Sequence, residues 1–187
     1  MKLYILRHEE RFEAPTFYTE LTPNGLVKSN LLKNILENEN IDLIFSSPFI
    51  RVLQTIQPYC DHKQNNSVCI DYSLYETMYD TRYFKKSEYP IDLNSNDNLS
   101  YLKDPNYIST IPITDINCPE TKDNVELRIV QFITKLIEKY KNTALNILIA
   151  SHAATLAPLV KKESEYPLGG LTKIYENDQY LYQPINY

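Results

Sequence analysis

Short apolar runs and segments with apolar residues at helical spacing alternate along the chain. The apolar runs predict β-strands at 2–6, 41–45, 68–70 and 145–150. Apolar residues that recur every three or four positions predict helices over 23–36, 49–59 and 124–140. The run at 145–150 is almost entirely apolar, which is typical of a strand buried on both faces of a parallel sheet. The alternation therefore predicts an α/β fold of three layers, with a mostly parallel central sheet between helices.

The first residues of two helices can be read from the sequence. Thr22 and Pro23 predict the N-cap and first residue of one helix. Ser47 and Pro48 have the same pattern, so we expect Ser47 to cap the next helix and Arg51 to lie in its first turn.

The stretch from 77 to 120 lacks a clear period and is rich in Pro, Asn, Asp and Tyr. Its aromatic content is too high for a solvated disordered segment, so we predict an irregular cap inserted in a single domain of residues 1–187. Weaker strand patterns at 172–175 and 180–182 predict a sheet edge near the C-terminus.

Composition and charge narrow the class of protein. Acidic residues outnumber basic ones by 24 to 19, giving a net charge of −5. Such a chain lacks the basic surface that binds nucleic acid. No run reaches the roughly 20 apolar residues of a membrane span, so we expect a cytoplasmic protein without a membrane partner. Cys60, Cys69 and Cys118 show no CxxC spacing, which argues against disulfides. The oligomeric state cannot be read from the sequence.

Polar clusters follow three of the predicted strands. They are Arg7-His8 after the first strand, Ser46-Ser47-Pro48 with Arg51 after the second, and Ser151-His152 after the strand at 145–150. The carboxyl ends of parallel strands meet at one edge of a sheet, where ligands bind. Lys outnumbers Arg by 14 to 5, so each retained Arg marks a place that favours a planar guanidinium. Each histidine alone is compatible with a hydrogen-bonded core residue, but together with two arginines they predict a phosphate site.

This combination of side chains suits phosphoryl transfer. Two guanidinium groups can neutralise and orient a phosphoryl group, and a neutral imidazole nitrogen can attack it. A second histidine, held in its protonated form by the charge of the phosphate, would stabilise the developing charge. Glu76 is the candidate acid for the leaving oxygen, with a pKa that we expect to be raised beside the aromatic-rich cap. The alternative is that Glu76 is an ordinary surface carboxylate.

Five motifs occur in order along nearly the whole chain. They are Leu6-Arg7-His8, Leu21-Thr22-Pro23-Asn24-Gly25, Ser46-Ser47-Pro48 with Arg51 and Gln54-Thr55, Leu74-Tyr75-Glu76, and Ser151-His152. In order and spacing they resemble the histidine phosphatase superfamily, in its phosphoglycerate-mutase-like branch. The resemblance implies a phosphomonoester hydrolase that needs no cofactor or metal. It also implies the roles of five residues: His8 as the phosphorylated nucleophile, Arg7, Arg51 and His152 as the phosphate pocket, and Glu76 as the proton donor.

The residues around the first histidine suggest a subgroup. Arg-His-x-Glu-Arg at 7–11 and Ser-His-Ala at 151–153 are similar to the suppressor-of-T-cell-receptor-signalling and ecdysteroid-phosphate phosphatases. This similarity implies that Arg11 also lines the pocket, although a solvated surface charge is the alternative. Glu9 stands where the family usually has Gly, and Glu lacks the backbone freedom of Gly and carries a negative charge. We therefore expect the Glu9 side chain to turn away from the pocket.

Other functions remain open at this stage. Glu9 would also suit a catalytically degenerate module that binds phosphate without cleaving it. A phosphomutase would need a closed cap, and hydrolysis is favoured because the cap offers few cations beyond Arg82, Lys85, Lys86 and Lys103. A metal hydrolase is disfavoured because the three histidines are not at ligand spacing.

The substrate class, a phosphorylated small molecule or a phosphoprotein, is also open. Aromatic residues of the cap either stack on an aryl group or simply pack the cap. They are Tyr79, Tyr83, Phe84, Tyr89, Tyr101 and Tyr107.

Overall fold

The computed structural model describes residues 1–64, 67–79, 97–160 and 166–185. The strands are β1 (Lys2–Arg7), β2 (Leu43–Ser46), β3 (Val68–Ile70), β4 (Asn146–Ser151), β5 (Leu171–Glu176) and β6 (Gln179–Ile185). The helices are α1 (Pro23–Asn38), α2 (Ile50–Lys63), the single turn α3 (Asp97–Ser100), α4 (Lys122–Tyr140) and α5 (Ala153–Val160). In this part of the chain no helix is both long enough and apolar enough to cross a bilayer.

The six strands form one sheet in the order β3-β2-β4-β1-β5-β6. The pairs among β1 to β4 are parallel, whereas β5 and β6 are antiparallel to their neighbours. This arrangement confirms the predicted fold class and places an antiparallel edge at the C-terminus.

Alternate side chains of the strands enter two separate cores, one on each face of the sheet. In β1, Tyr4 and Leu6 pack towards α1 and α2, while Leu3 and Ile5 pack towards α4 and α5. Both sets are fully buried, which explains why the strand reads as a continuous apolar run. The three layers follow directly from this two-sided burial.

One predicted helix start is confirmed and one is wrong. Thr22 caps α1, and its hydroxyl oxygen accepts a hydrogen bond from the Gly25 N–H at 3.1 Å. Ser47 is not the N-cap of α2, because the helix begins at Ile50 with Phe49 as its cap residue. The Ser47 hydroxyl instead lies 2.9 Å from His152 Nε2, at the ends of the neighbouring strands β2 and β4.

The described part of the predicted cap packs on the body of the protein. At the edge of the sheet, the Val68 N–H donates to the Leu102 carbonyl at 2.8 Å, and the Asp104 N–H donates to the Val68 carbonyl at 2.9 Å. The Tyr107 ring lies 5.5 Å from the Phe45 ring, and the Tyr107 hydroxyl donates to Asp71 at 2.5 Å. Tyr107 therefore packs against the body of the protein, which is one of the two roles that we expected for the aromatic residues of the cap.

The cap boundaries remain a prediction. Several of its predicted cations and aromatic residues lie outside the described residues, namely Arg82, Tyr83, Phe84, Lys85, Lys86 and Tyr89.

Candidate active site

Strand register brings the two predicted histidines together. In the parallel pair of β1 and β4, Arg7 lies opposite Ser151, so the next residue of each strand leaves the sheet at the same edge. These next residues are His8 and His152, whose ring centroids are 5.2 Å apart at an interplanar angle of 64°. Residues 144 positions apart in the chain are thus neighbours because their strands are neighbours.

The His8 ring is anchored by its own main chain. Its Nδ1 lies 2.7 Å from the Glu9 carbonyl oxygen, and because that oxygen only accepts, Nδ1 carries the proton. The ring is 3% exposed, and burial lowers the pKa of His8 well below its usual value, with further lowering from His152 and Arg51. His8 is therefore neutral near pH 7, and Nε2 is the ring nitrogen that keeps its lone pair.

His152 lies between a serine and a carboxylate. Its Nε2 is 2.9 Å from the Ser47 hydroxyl oxygen, and its Nδ1 is 3.3 Å from Glu76 Oε2. Burial lowers the pKa of His152 to about 4, and Glu76 only partly offsets this while Arg51 adds to it. A cation on His152 near pH 7 thus requires additional negative charge close by.

Arg51 is fully buried beneath the strand ends. One terminal nitrogen donates to the Thr16 carbonyl at 2.8 Å and the other donates to Glu76 Oε2 at 3.3 Å. The guanidinium carbon also lies 4.6 Å from the centre of the Phe49 ring, a cation–π contact. Burial lowers the pKa of Arg51 to about 10, although Glu76 opposes the shift.

Glu76 joins these groups, and the expectation of a raised pKa for this carboxyl is wrong. Burial does raise the pKa of Glu76, but His152, Arg51 and the Thr77 N–H together lower it well below its usual range. The Thr77 N–H donates to Oε1 at 3.0 Å, while Oε2 faces Arg51 and His152. Glu76 is therefore ionised near pH 7 before substrate binds, and it is not an ordinary surface carboxylate.

A cavity of about 320 Å³ opens beside His8. Its lining consists of Arg7, His8, Glu10, Arg11, Glu76, Ala153, Ala154 and Leu168. Arg51 and His152 are fully buried behind this lining and reach it through Glu76. The structure thus brings all six predicted site residues to one place.

The two arginines of the lining are held by main-chain carbonyl groups. Arg7 donates to the Tyr166 carbonyl. Arg11 donates to the carbonyls of Phe12 at 2.6 Å and Glu13 at 2.5 Å. These bonds fix where each side chain can present its remaining N–H groups to an anion.

Glu9, the departure from the family pattern, is 1% exposed and is not among the residues that line the cavity. Its N–H donates to the Thr55 hydroxyl at 3.0 Å, and that hydroxyl donates to the Arg51 carbonyl at 2.8 Å. A side chain turned away from the cavity is what we expected for Glu9. The Glu9 side chain therefore does not line the cavity beside His8.

Sequence reasoning missed Glu10 as a cavity residue and Ser47 as the partner of His152. The signal for Glu10 was present in the Leu-Thr-Pro-Asn-Gly motif. The Thr22 hydroxyl donates to Glu10 Oε1 at 2.7 Å, and the Asn24 amide donates to Oε2 at 2.9 Å. These two bonds, with that of Thr22 the larger cause, lower the pKa of Glu10. The motif therefore fixes a negative charge beside Arg11.

Three side chains at the site have the chemistry of metal ligands. One possible ligand atom from each of His8, Glu76 and His152 lies within 4.8 Å of the others. Two neutral imidazoles and a carboxylate suit zinc. However, the Arg51 guanidinium already pairs with Glu76 Oε2 at 3.3 Å and would repel a divalent cation there. The charges of this site fit an anion better than a metal.

Comparison with known proteins gives one family match and many similar folds. The sequence profile of the histidine phosphatase superfamily (branch 1) matches residues 4–178. A search of curated protein sequences finds no match.

Solved structures with a similar fold include three phosphatases. Ecdysone phosphate phosphatase from Bombix mori, in complex with tungstate, has a TM-score of 0.71 at 14% identity, covering 100% of this chain and 92% of its own. A putative alpha-ribazole-5'-P phosphatase from Escherichia coli has a TM-score of 0.71 at 21% identity, covering 100% and 97%. A phosphoserine phosphatase mutant from Entamoeba histolytica, in complex with phosphoserine, has a TM-score of 0.60 at 22% identity, covering 98% and 93%. At these identities the likeness concerns the fold.

Proposed function

Because this chain belongs to the histidine phosphatase superfamily (branch 1), we propose that it hydrolyses phosphomonoesters through a phosphohistidine on His8. One observation carries the proposal: the His8 ring is held through Nδ1 by the Glu9 carbonyl at 2.7 Å, beside a cavity with Arg7 and Glu76 in its lining. This anchoring leaves Nε2 as a neutral nucleophile with a fixed direction.

The first step is capture of the phosphoryl group. Arg7 and Arg11 reach the cavity, and Arg51 lies behind Glu76 with its charge directed to the same place. The substrate binds as the monoanion and passes its proton to Glu76. The negative charge of its phosphoryl group then raises the pKa of His152, so that this histidine takes up a proton from solvent and joins the arginines. Binding thereby gathers positive charge around the phosphoryl oxygens at the point where His8 attacks.

In the chemical step, His8 Nε2 forms a bond to phosphorus while the bond between phosphorus and the leaving oxygen breaks. Glu76 gives that oxygen a proton, which arrives with the monoanionic form of the substrate because Glu76 is ionised beforehand. Glu76 then accepts a proton from water, which attacks phosphorus and releases inorganic phosphate. His8 returns to its neutral form, Glu76 gives its proton to the departing phosphate, and His152 releases its proton to solvent, so atoms and charges balance over the cycle.

The proposed substrate is a phosphorylated small molecule or a phosphorylated side chain of a protein. The cavity of about 320 Å³ accommodates a phosphoryl group with a small organic group. Similar folds named for ecdysone phosphate and phosphoserine support small phosphorylated metabolites. No cofactor or metal is part of the proposed reaction.

The test is hydrolysis of p-nitrophenyl phosphate by the wild type, His8→Ala and His62→Ala, with EDTA present and an alkaline quench. His62 is the matched control because it is the third histidine and pairs with Glu37 at 2.7 Å on the surface. We expect activity and a base-stable phosphoryl adduct in the wild type and His62→Ala, and neither in His8→Ala. An inert wild type that still binds vanadate would favour the binding module. Inhibition by EDTA would refute metal independence.

A further inference from the structure

The fourth arginine that the structure describes lies outside the cavity lining, in a buried ion pair. Arg128, on α4, is 6% exposed and forms a two-pronged contact with Glu120. Its Nε lies 2.8 Å from Glu120 Oε1, and its Nη2 lies 3.0 Å from Oε2. Replacing a buried ion pair with well-packed apolar side chains is often neutral or stabilising. Stability alone is thus a weak reason for this pair to be present.

Arg128 and Glu120 form hydrogen bonds with the main chain on both sides of Glu76. Arg128 donates to the carbonyls of Ser73 at 2.6 Å and Tyr75 at 3.1 Å. On the other side, Glu120 Oε2 accepts from the Met78 N–H at 3.0 Å, and the Glu120 N–H donates to the Met78 carbonyl at 2.9 Å. Residues 75–79, which include Glu76, have neither helix nor strand structure. The position of this segment therefore depends on such contacts.

We propose that Arg128 and Glu120 are positioning residues that hold the Glu76 carboxyl within reach of the leaving oxygen. The inference deepens the proposed function, because it rests on Glu76 as the proton donor. Proton transfer requires donor and acceptor within about 2.6–3.2 Å, so a small shift of the segment removes the benefit of the acid. Two bonds to the same segment, from Thr155 to the Tyr75 carbonyl at 2.5 Å and from Ser151 to the Leu74 carbonyl at 2.7 Å, fix its position relative to His152.

A purely structural role and a positioning role differ in one measurable quantity. Loss of folded protein lowers the rate on every substrate by the same factor. Misplacement of the acid lowers the rate mainly when the leaving oxygen is a strong base, since a weakly basic leaving group departs without a proton. The ratio of kcat/KM for p-nitrophenyl phosphate to kcat/KM for phenyl phosphate therefore reports on the acid and is independent of the folded fraction.

The experiment measures this ratio for the wild type, Glu76→Gln, and the two variants of the ion pair, Arg128→Lys and Glu120→Gln, which we call the clamp variants. Lys keeps the charge of Arg128 but cannot form the fork, and Gln keeps the shape of Glu120 but loses its charge. We expect Glu76→Gln to raise the ratio roughly a hundredfold and each clamp variant to raise it at least about tenfold. Tyr59→Phe is the control, because it removes a buried hydrogen bond to the Ile41 carbonyl far from Glu76. Its ratio should equal that of the wild type.

The outcomes separate the two proposals. A raised ratio in Glu76→Gln with an unchanged ratio in both clamp variants would overturn the positioning role and leave the proposed function intact. An unchanged ratio in Glu76→Gln would remove Glu76 as the acid and the inference with it. If neither clamp variant folds, the ion pair is a structural requirement, and this outcome would also overturn the inference.

Discussion

Ser47→Ala tests how His152 is held, because it deletes the hydroxyl that lies 2.9 Å from His152 Nε2. Both residues are fully buried, so water cannot replace the lost group without rearrangement. Before substrate binds, His152 is neutral. Its Nδ1 faces the ionised Glu76 carboxylate at 3.3 Å and carries the proton, so the Ser47 hydroxyl donates to Nε2. Once the bound phosphoryl group has raised the pKa of His152 and the ring is protonated, the direction reverses and Nε2–H donates to the serine oxygen.

Ser47→Ala removes a different amount of stabilising free energy from the unliganded protein and from the phosphate complex. A neutral hydrogen bond contributes about 0.5–1.5 kcal/mol and one to a charged group about 1.5–3 kcal/mol, so the complex loses about 1 kcal/mol more than the unliganded protein. That difference lowers kcat/KM about fivefold. The unpartnered Nε2 also lowers the free energy of unfolding by about 1–3 kcal/mol, which reduces Tm by roughly 2–10 °C.

The assay pairs hydrolysis of p-nitrophenyl phosphate with a thermal melt of each variant. Ser46→Ala is the matched control, because Ser46 is equally buried and donates to the Ser47 carbonyl at 2.9 Å instead of a histidine. We expect a lower Tm in both variants and a lower kcat/KM only in Ser47→Ala. Equal kcat/KM in the two variants would refute a role for the hydroxyl in stabilising the His152 cation.

Three further predictions follow from the geometry of the site. Glu76 is ionised and His8 neutral before substrate binds, because their pKa values are lowered, so the catalytic proton must come from substrate whose second pKa is about 6. For phenyl phosphate, kcat/KM should fall about tenfold per pH unit above that value, and a rise between pH 5 and 7 would contradict this. Gly25→Ala places a Cβ 2.2 Å from the Glu10 carbonyl oxygen, and urea unfolding should show a loss of about 1–3 kcal/mol despite the better helix propensity of Ala. Glu10→Gln removes the negative charge of the cavity lining and should lower KM roughly two- to fivefold at low salt. An equal change in KM at high salt would exclude a charge effect.

The sheet could be predicted from the sequence because its strands are buried on both faces. Continuous apolar runs mark β1 and β4, and the charged or polar residue that ends each run marks where the strand ends. The C-terminal strands were harder to delimit. β6 is mostly exposed, so its pattern is weak, and its extent is set by antiparallel pairing with β5.

The errors at the site arose where side chains from distant segments meet. Ser47 has the sequence pattern of a helix cap, but a histidine from another strand end takes its hydroxyl. For Glu76, aromatic neighbours in the sequence predicted a raised pKa. In the fold, Arg51 from α2 and His152 from the end of β4 approach the same carboxylate oxygen and reverse the shift. Local sequence does not contain these approaches.

For Arg128, the sequence predicted the kind of contact but not the partners. An arginine is unusual in this lysine-rich chain, which indicated a residue that binds through its planar guanidinium group. Its partners could not be predicted, because most of them are main-chain carbonyls of a segment more than fifty positions away. Side-chain patterns carry no information about such groups.

The burial of Arg51 has a consequence for the heat resistance of the protein. A pKa lowered from 12.5 to about 10 means that folding disfavours the protonated guanidinium, on the order of 3 kcal/mol at every pH below about 10. A bound phosphoryl dianion offsets part of this cost, so ligand binding and fold stability are thermodynamically linked. At a hundred times its dissociation constant, any such anion adds about 2.7 kcal/mol to the free energy of unfolding. The buried Arg51 cation therefore lowers the free energy of unfolding, and a bound phosphorylated ligand raises it again.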